Sequence, residues 1–297
     1  MLTDLRIFGA AHAAPVSGGP GVGFGDDDLV TPASVMKVQV ALAIENAIAN
    51  GAVDGAERRV LTHADRTPGP VGISLMRDDV TMTVRDLVAL MLTISDNVAT
   101  DELIGVAGLE QVNRTTRELG MQRTEVTTDL RTMLHDLAVE IGFGDYAALV
   151  AHDPEVDGPP SDEQVRIAIA GSTALDPRRG PRTTPREAVI LLQAIWTDSA
   201  GSPDACAAVR RTMGQQLTRH RIASGFGPDV AVAAKSGGLM GIVRNEVGVV
   251  TFPDGAAYAV AVFTRREPGN TTEPAVIDAA IGRIARSLVD RLRDPNH

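Results

Sequence analysis

The 297-residue chain reads as a single α/β (α+β) domain, residues 1–297, in which an antiparallel sheet flanked by helices is assembled from both chain ends and an all-α lobe is inserted between them. Three observations predict this. Apolar and small residues alternate with period two near the N-terminus and again in the last third of the chain, as half-buried strands require. Between them the apolar residues recur with helical spacing. Strands at the two ends bury their apolar faces together only if the termini share one layer, which leaves the helical middle as a separate lobe. The expected division is an α/β lobe of about 1–33 and 217–297 and an all-α lobe of about 34–216, with the site in the cleft between them.

The elements follow in order. Residues 2–30 alternate apolar and small side chains as in a short hairpin. Gly21, Gly23 and Gly25 fit turns there, because no helix follows them at the spacing of a phosphate loop. Thr31 as N-cap and Pro32 at the first helical position start a helix, apolar on most faces through Val38, Val40, Leu42, Ile44 and Ile48, which stops at Asn50-Gly51. Helical patterns follow at about 83–92, 97–104 and 108–119, then at 185–196 and 203–216. Strands are expected at 230–234, 246–252 and 257–264, with a Pro253-Asp254-Gly255 turn, before an amphipathic helix over about 273–292.

Composition narrows the function. A net charge of −10 repels nucleic acid and anionic membrane, and with 3% aromatic residues there is little to stack bases on. Cys206 is the only cysteine, so no internal disulfide or thiolate cluster is expected, and it reads as a packing residue. No run is long enough to span a membrane. The apolar stretch 5–14 is broken by Arg6 and His12 and preceded by Asp4, unlike a secretory signal, so a cytoplasmic location is expected. The six histidines, His12, His63, His135, His152, His220 and His297, lack paired metal-ligand spacing and read as surface or loop residues. No metal and no cofactor is expected, and the partner is a small-molecule substrate.

Three polar clusters carry the chemistry: Ser34-Val35-Met36-Lys37, Ser95-Asp96-Asn97 and Lys235-Ser236-Gly237. A serine hydroxyl needs a base to take its proton as it attacks a carbonyl, and a lysine three residues on lies on the same helical face. In this order the clusters resemble those of the penicillin-recognising serine enzymes, most closely class A β-lactamases. Residues 82–100 resemble the helix leading into that family's middle motif, and Thr183-Thr184-Pro185 resembles the helix start after its Ω loop. The resemblance covers nearly the whole chain from about Ser34, and it implies a β-lactamase-like fold.

The resemblance implies roles as well. Ser34 is the nucleophile, and its backbone N–H with that of Gly238 forms the oxyanion hole. Lys37, lowered in pKa by its surroundings, is the base; a surface lysine is the plain alternative, but Met36, Val38 and Val40 place it in a buried helix. Ser95 passes a proton to the leaving nitrogen and Lys235 polarises it. Asn97 meets a substrate amide while contacting Lys37, Asp96 ties down its loop, and Gly237 and Gly238 let substrate lie close to the strand. Ser236 and Arg244 bind a substrate carboxylate, Arg244 being alternatively an exposed strand cation.

One departure concerns deacylation. Class A enzymes activate water with an Ω-loop glutamate, but the corresponding region near Ala168-Ile169-Ala170 holds no carboxylate, and the segment between Gly120 and Thr183 is dozens of residues longer than an ordinary Ω loop. Asp129 is a candidate substitute, ahead of Glu140, Glu155 and Glu163 as solvated charges. The leading expectation is a serine hydrolase acting on an amide, ester or β-lactam. An acyltransferase passing the acyl group to an amine or alcohol, and a non-enzymatic sensor acylated once, are the alternatives.

Overall fold

The computed structural model describes residues 5–294. In chain order, β1 (Ile7–Pro15) and β2 (Val22–Phe24) precede a 3-10 turn over Ala33–Met36 and α1 (Lys37–Ala49). Then β3 (Arg58–Leu61) and β4 (Val80–Thr83) lead to α2 (Val84–Thr93), α3 (Asn97–Ala107) and α4 (Leu109–Glu118). The long middle segment carries α5 (Leu130–Glu140), α6 (Tyr146–Ala151), α7 (Pro154–Asp157) and α8 (Asp162–Gly171). After α9 (Pro185–Trp196) and α10 (Pro203–Met213), the chain closes with β5 (Ala231–Leu239), β6 (Val243–Thr251), β7 (Ala257–Arg266) and α11 (Pro274–Arg293).

Five strands from both ends of the chain form one antiparallel sheet in the order β2-β1-β7-β6-β5. Side chains alternate across it as the pleat demands. Ala259, Ala261 and Phe263 of β7 pack into the core shared with α1 and α9. Val260 and Val262 between them pack with Ile277, Ile281 and Val289 of α11 on the opposite face. A third cluster joins Leu137, Leu149, Ile169 and Leu175 of the middle segment to Ile242 and Val243 at the start of β6. No helix among the described residues is long and apolar enough to cross a membrane.

Three expectations are corrected. The segment 34–216 is not purely helical, because β3 and β4 pair as a two-stranded antiparallel sheet too short for its alternation to show. Also within that segment, α9 lies against β1 and β7 of the main sheet. The first helix also starts later than expected. Thr31 does not cap it but donates to the Leu175 carbonyl at 3.2 Å. Ala33 then takes a left-handed φ of +49°, and residues 33–36 form a tighter turn before α1 begins at Lys37. From there every residue through Ile44 is buried, as its all-round apolar sequence demands. Cys206 is likewise buried in α10. His12 is a correction in the other direction, being buried in β1, an interior strand of the sheet, while His297 lies outside the described residues.

Candidate active site

The turn holding Ser34 and the end of β5 are brought together by a glycine. A Cβ at Gly237 would stand 2.8 Å from the Pro32 oxygen and 3.2 Å from the Val35 nitrogen, both backbone atoms, so only glycine lets β5 lie on the 33–36 turn. At Gly238 the nearest atom to such a Cβ is 3.5 Å away, and the residue is exposed; its side is left open for a ligand. The result is a cavity of about 230 Å³ that Ser34, Ser95, Asn97, Ser236, Gly237 and Gly238 all line. Ser95 has a φ of +67°, and Ala33 immediately before Ser34 is also left-handed. Non-glycine residues in that region carry strain of about 1–3 kcal/mol and concentrate at functional sites.

Beneath the cavity lie two lysines with no exposed surface. The Lys37 amine donates to Ser95 O at 2.7 Å, Ser95 Oγ at 3.2 Å and Asn97 Oδ1 at 2.8 Å, with a longer contact to Asp96 O. None of its hydrogen bonds goes to Ser34, so the direct pairing expected from helical spacing is replaced by a connection through Ser95. The cause is the 3-10 turn, which puts Ser34 outside α1 while Lys37 opens it. Burial pulls the Lys37 amine down to about 7, against the opposing charges of Asp96 and Asp101. An amine titrating there is partly neutral at physiological pH and able to accept a proton.

Lys235 is pulled well below the ordinary lysine range, first by burial and then by the neighbouring Lys37 charge, with Glu246 opposing. Its Nζ donates to Ser236 O at 2.7 Å and makes no hydrogen bond to Ser95. Asn97 uses Oδ1 on Lys37 and Nδ2 on Pro68 O at 2.9 Å, which leaves one amide hydrogen for the cavity. Asp96 holds its loop as its sequence context suggests: it caps α3 through Ala99 N–H at 2.8 Å and receives Ile73 N–H at 2.6 Å.

Arg244 does not face the cavity. Its guanidinium makes two bonds, at 2.8 and 2.5 Å, to Asp278 of α11, so a buried carboxylate of the protein takes the fork expected for a substrate. Burial raises the Asp278 carboxyl, but Arg244 and Arg221 outweigh it and hold the group below the usual range. The charged residue that does line the cavity is Arg221. It bonds Asp278 at 2.8 Å, Gly237 O at 2.8 Å and Asn245 O at 2.6 Å, thereby bracing β5 from behind. Nothing in the local sequence Arg219-His220-Arg221 distinguishes it, since its partners come from β5, β6 and α11. Gln216 was equally unmarked; it accepts from Ser236 N at 2.5 Å and donates to the buried Glu246 at 3.1 Å.

Among the described residues, no carboxylate lines the nucleophile cavity. Asp129 is the N-cap of α5, accepting from Thr132 N at 2.7 Å, and faces a different depression with Asp101 and Glu102. It is therefore withdrawn as a deacylating base. Glu140 receives Thr173 N–H at 2.8 Å, Glu163 pairs with Arg166, and Glu155 lies exposed on α7. Residues 130–181 contribute instead Leu130, Met133, Leu134 and Pro181 to the cavity. The Thr184-Pro185 helix start is as expected, with Thr184 accepting from Glu187 N at 3.1 Å.

Comparison with known proteins bears on the fold and the family. A model of the "Beta-lactamase enzyme family" matches residues 10–292. The "Beta-lactamase regulatory protein BlaB" of Streptomyces cacaoi is 32% identical over 288 residues, 93% of this chain and 90% of that protein. The crystal structure of a beta-lactamase from Sphaerobacter thermophilus superimposes with a TM-score of 0.75 at 26% identity, covering 97% of this chain and 92% of that one. A beta-lactamase from Chitinophaga pinensis, at 19% identity, shares the fold with a TM-score of 0.76 over 98% of this chain and 96% of its own. The motif order read from the sequence, the two-ended sheet and a match that spans almost the whole chain lead to one assignment: this protein belongs to the beta-lactamase enzyme family.

Proposed function

We propose that the protein forms an acyl-enzyme at Ser34 with a small amide, ester or β-lactam and that the adduct is long-lived. The observation that carries this is the cavity lined by Ser34, Ser95, Asn97 and Ser236–Gly238 above two buried lysines, with no carboxylate among the described residues on its walls. Ser34 Oγ attacks the carbonyl carbon and its proton passes to the neutral Lys37 amine, directly or through Ser95 Oγ, in a geometry that substrate tightens. The backbone N–H groups of Ser34 and Gly238 hold the oxyanion; losing one such donor costs about 3–4 kcal/mol of transition-state stabilisation. As the carbonyl re-forms and the scissile C–N bond breaks, Lys37 returns the proton through Ser95 to the leaving nitrogen. Lys235 keeps the field around Ser95 positive, and Ser236 with Arg221, in the role first given to Arg244, meets an anionic group on the substrate.

The ester at Ser34 then lacks the carboxylate that would activate water. An amine or alcohol bound in the same cavity is the acceptor an acyltransferase needs, and release without an acceptor is slow. The regulatory name of the Streptomyces cacaoi relative favours the second reading, a module that stays acylated and signals that state.

Incubation with a chromogenic β-lactam, followed by colour and intact mass, tests this. A stoichiometric colour burst with a persistent mass adduct, absent in Ser34→Ala, is expected. Continuing turnover without an adduct contradicts the long-lived ester. If amines discharge the adduct, the protein is a transferase; if they do not, it is a sensor.

A further inference from the structure

A separate cavity of about 570 Å³ opens at the start of β5 and shares no residue with the nucleophile cavity. Three arginines line it, Arg210, Arg211 and Arg219, and among the described residues no carboxylate does. In a chain with a net charge of −10, such a concentration of positive charge runs against the rest of the surface. Arg210 and Arg211 lie in the last turn of α10, where cations offset the helix dipole. Arg210 is committed to the protein, donating to Ile195 O at 2.5 Å and to Asp198 at 2.6 Å. Arg211 is exposed and has no hydrogen-bond or ion-pair partner among the described residues, although Glu45 of α1 feels its charge. Arg219, also exposed, spends one N–H on Val232 O at 2.8 Å and keeps its other donors.

The same cavity has an aromatic component. Trp196, the last residue of α9, lines it half-buried, beside the small apolar side chains of Ala231 and Ala233. A flat ring stacks on an indole, and a dianion meets guanidinium forks, so this lining fits a molecule that carries both. The cavity also reaches the strand that bears the site. Gln216 lines it, and that amide accepts from Ser236 N while donating to Thr218 O at 3.0 Å and to Glu246 at 3.1 Å. Ser236 in turn lines the nucleophile cavity. An anion beside Gln216 competes for the Nε2 hydrogens, and any turn of the amide takes its oxygen off Ser236 N–H.

We propose that this cavity binds a small aromatic anion, a flat ring carrying a phosphate-type dianion, and that its occupation slows acylation at Ser34 through Gln216. The binding half is independent of the acyl-enzyme reading; the second half rests on it. Trp196 is the only tryptophan of the chain, so intrinsic fluorescence excited where adenine does not absorb reports this cavity. Adenosine monophosphate, titrated to millimolar concentration, should quench it saturably. Adenosine and inorganic phosphate should each bind at least about tenfold more weakly, since each lacks one half of the contacts. Arg211→Gln, at an exposed position without a partner, should weaken adenosine monophosphate about tenfold, the loss expected for one charge-assisted hydrogen bond, and leave acylation without the probe unchanged. No saturable quenching, quenching by adenosine or phosphate as strong as that by adenosine monophosphate, or quenching that survives Arg211→Gln overturns the site. Intact mass after addition of a chromogenic β-lactam reads the second half: saturating adenosine monophosphate should slow formation of the Ser34 adduct about fivefold, and the same concentration should have little effect on Arg211→Gln. An unaltered rate under complete quenching overturns the link through Gln216 and leaves the binding site standing. No adduct even without the probe removes the acyl-enzyme reading and the link with it, while quenching still decides the site.

Discussion

The β5 wall of the nucleophile cavity is backed by the buried polar side chains of Gln216, Arg221, Glu246 and Asp278, with Arg244 bonded into the same group. The wall supplied by residues 130–181 faces the same space with Leu130, Met133, Leu134 and Pro181. The first wall is what acylation requires: a rigid strand and a positive field where negative charge develops. The second would have to supply the base for hydrolysis, and it supplies apolar surface. On the proposed function, the difference would separate making the acyl-enzyme from destroying it, and would assign the two tasks to different parts of one chain.

The largest effect should come from the polar side. Lys37→Ala should lower acylation by about 10²–10⁴-fold, the range for loss of a positioned base. Far-UV circular dichroism should remain native, because alanine suits the helix that Lys37 opens. In the unaltered protein the acylation rate should rise with pH and level off above about 7, since the amine must shed its proton before it can accept another. A rate that is flat from pH 5 to 9 would deny Lys37 the role of base.

Asp278 tests the bracing of β5. Its carboxylate is buried beneath Arg221 and Arg244, and removal of one partner of a buried pair leaves uncompensated charge, at a cost of about 3–5 kcal/mol. Asp278→Ala should therefore lower the unfolding free energy by that amount in urea titration. A smaller loss would mean that water or neighbouring carbonyls compensate the guanidinium groups. The effect should also exceed any from substitutions on the exposed face of α6, which has no buried charge to strand.

What the sequence discloses follows this division. The fold was legible because periodicity is local: β5 to β7 and α11 alternate or repeat within themselves, and both chain ends read as strand. The cavity residues were legible for the same reason, each cluster lying within a few consecutive positions. Arg221 was not, because its carboxylate partner is 57 residues away in α11. Arg244 illustrates the converse: a strand arginine at the right position was given a substrate carboxylate, and the fold gives it Asp278, 34 residues on. The late start of α1 was hidden as well, since an alanine gives no sign that it will adopt a positive φ. The extra length of 120–183 was visible, but not which of its side chains turn toward Ser34.

Adjacent glycines sharpen the comparison at smaller scale. Gly237→Ala places a methyl group against the backbone at Pro32 and Val35, so the 33–36 turn or β5 must move, with overpacking costs of about 1–3 kcal/mol and slower acylation. Gly238→Ala meets nothing closer than 3.5 Å and should leave the melting temperature unchanged while narrowing the space for substrate. Equal stability loss in both variants would place the constraint in the strand itself instead of in its contact with the turn.

The smallest effect concerns the residue withdrawn from the deacylation role. Asp129 caps α5 through Thr132 N–H, and loss of such a cap costs about 1 kcal/mol. Asp129→Ala should therefore lower stability slightly while the lifetime of the Ser34 adduct, read by intact mass after removal of excess β-lactam, stays as it was. The reasoning is geometric: a side chain committed to a helix N-terminus in a separate depression has no route to a water beside the ester. Should the adduct persist longer in this variant, Asp129 would return as the base, and the middle segment would have to swing its cap toward Ser34 once the acyl group is in place.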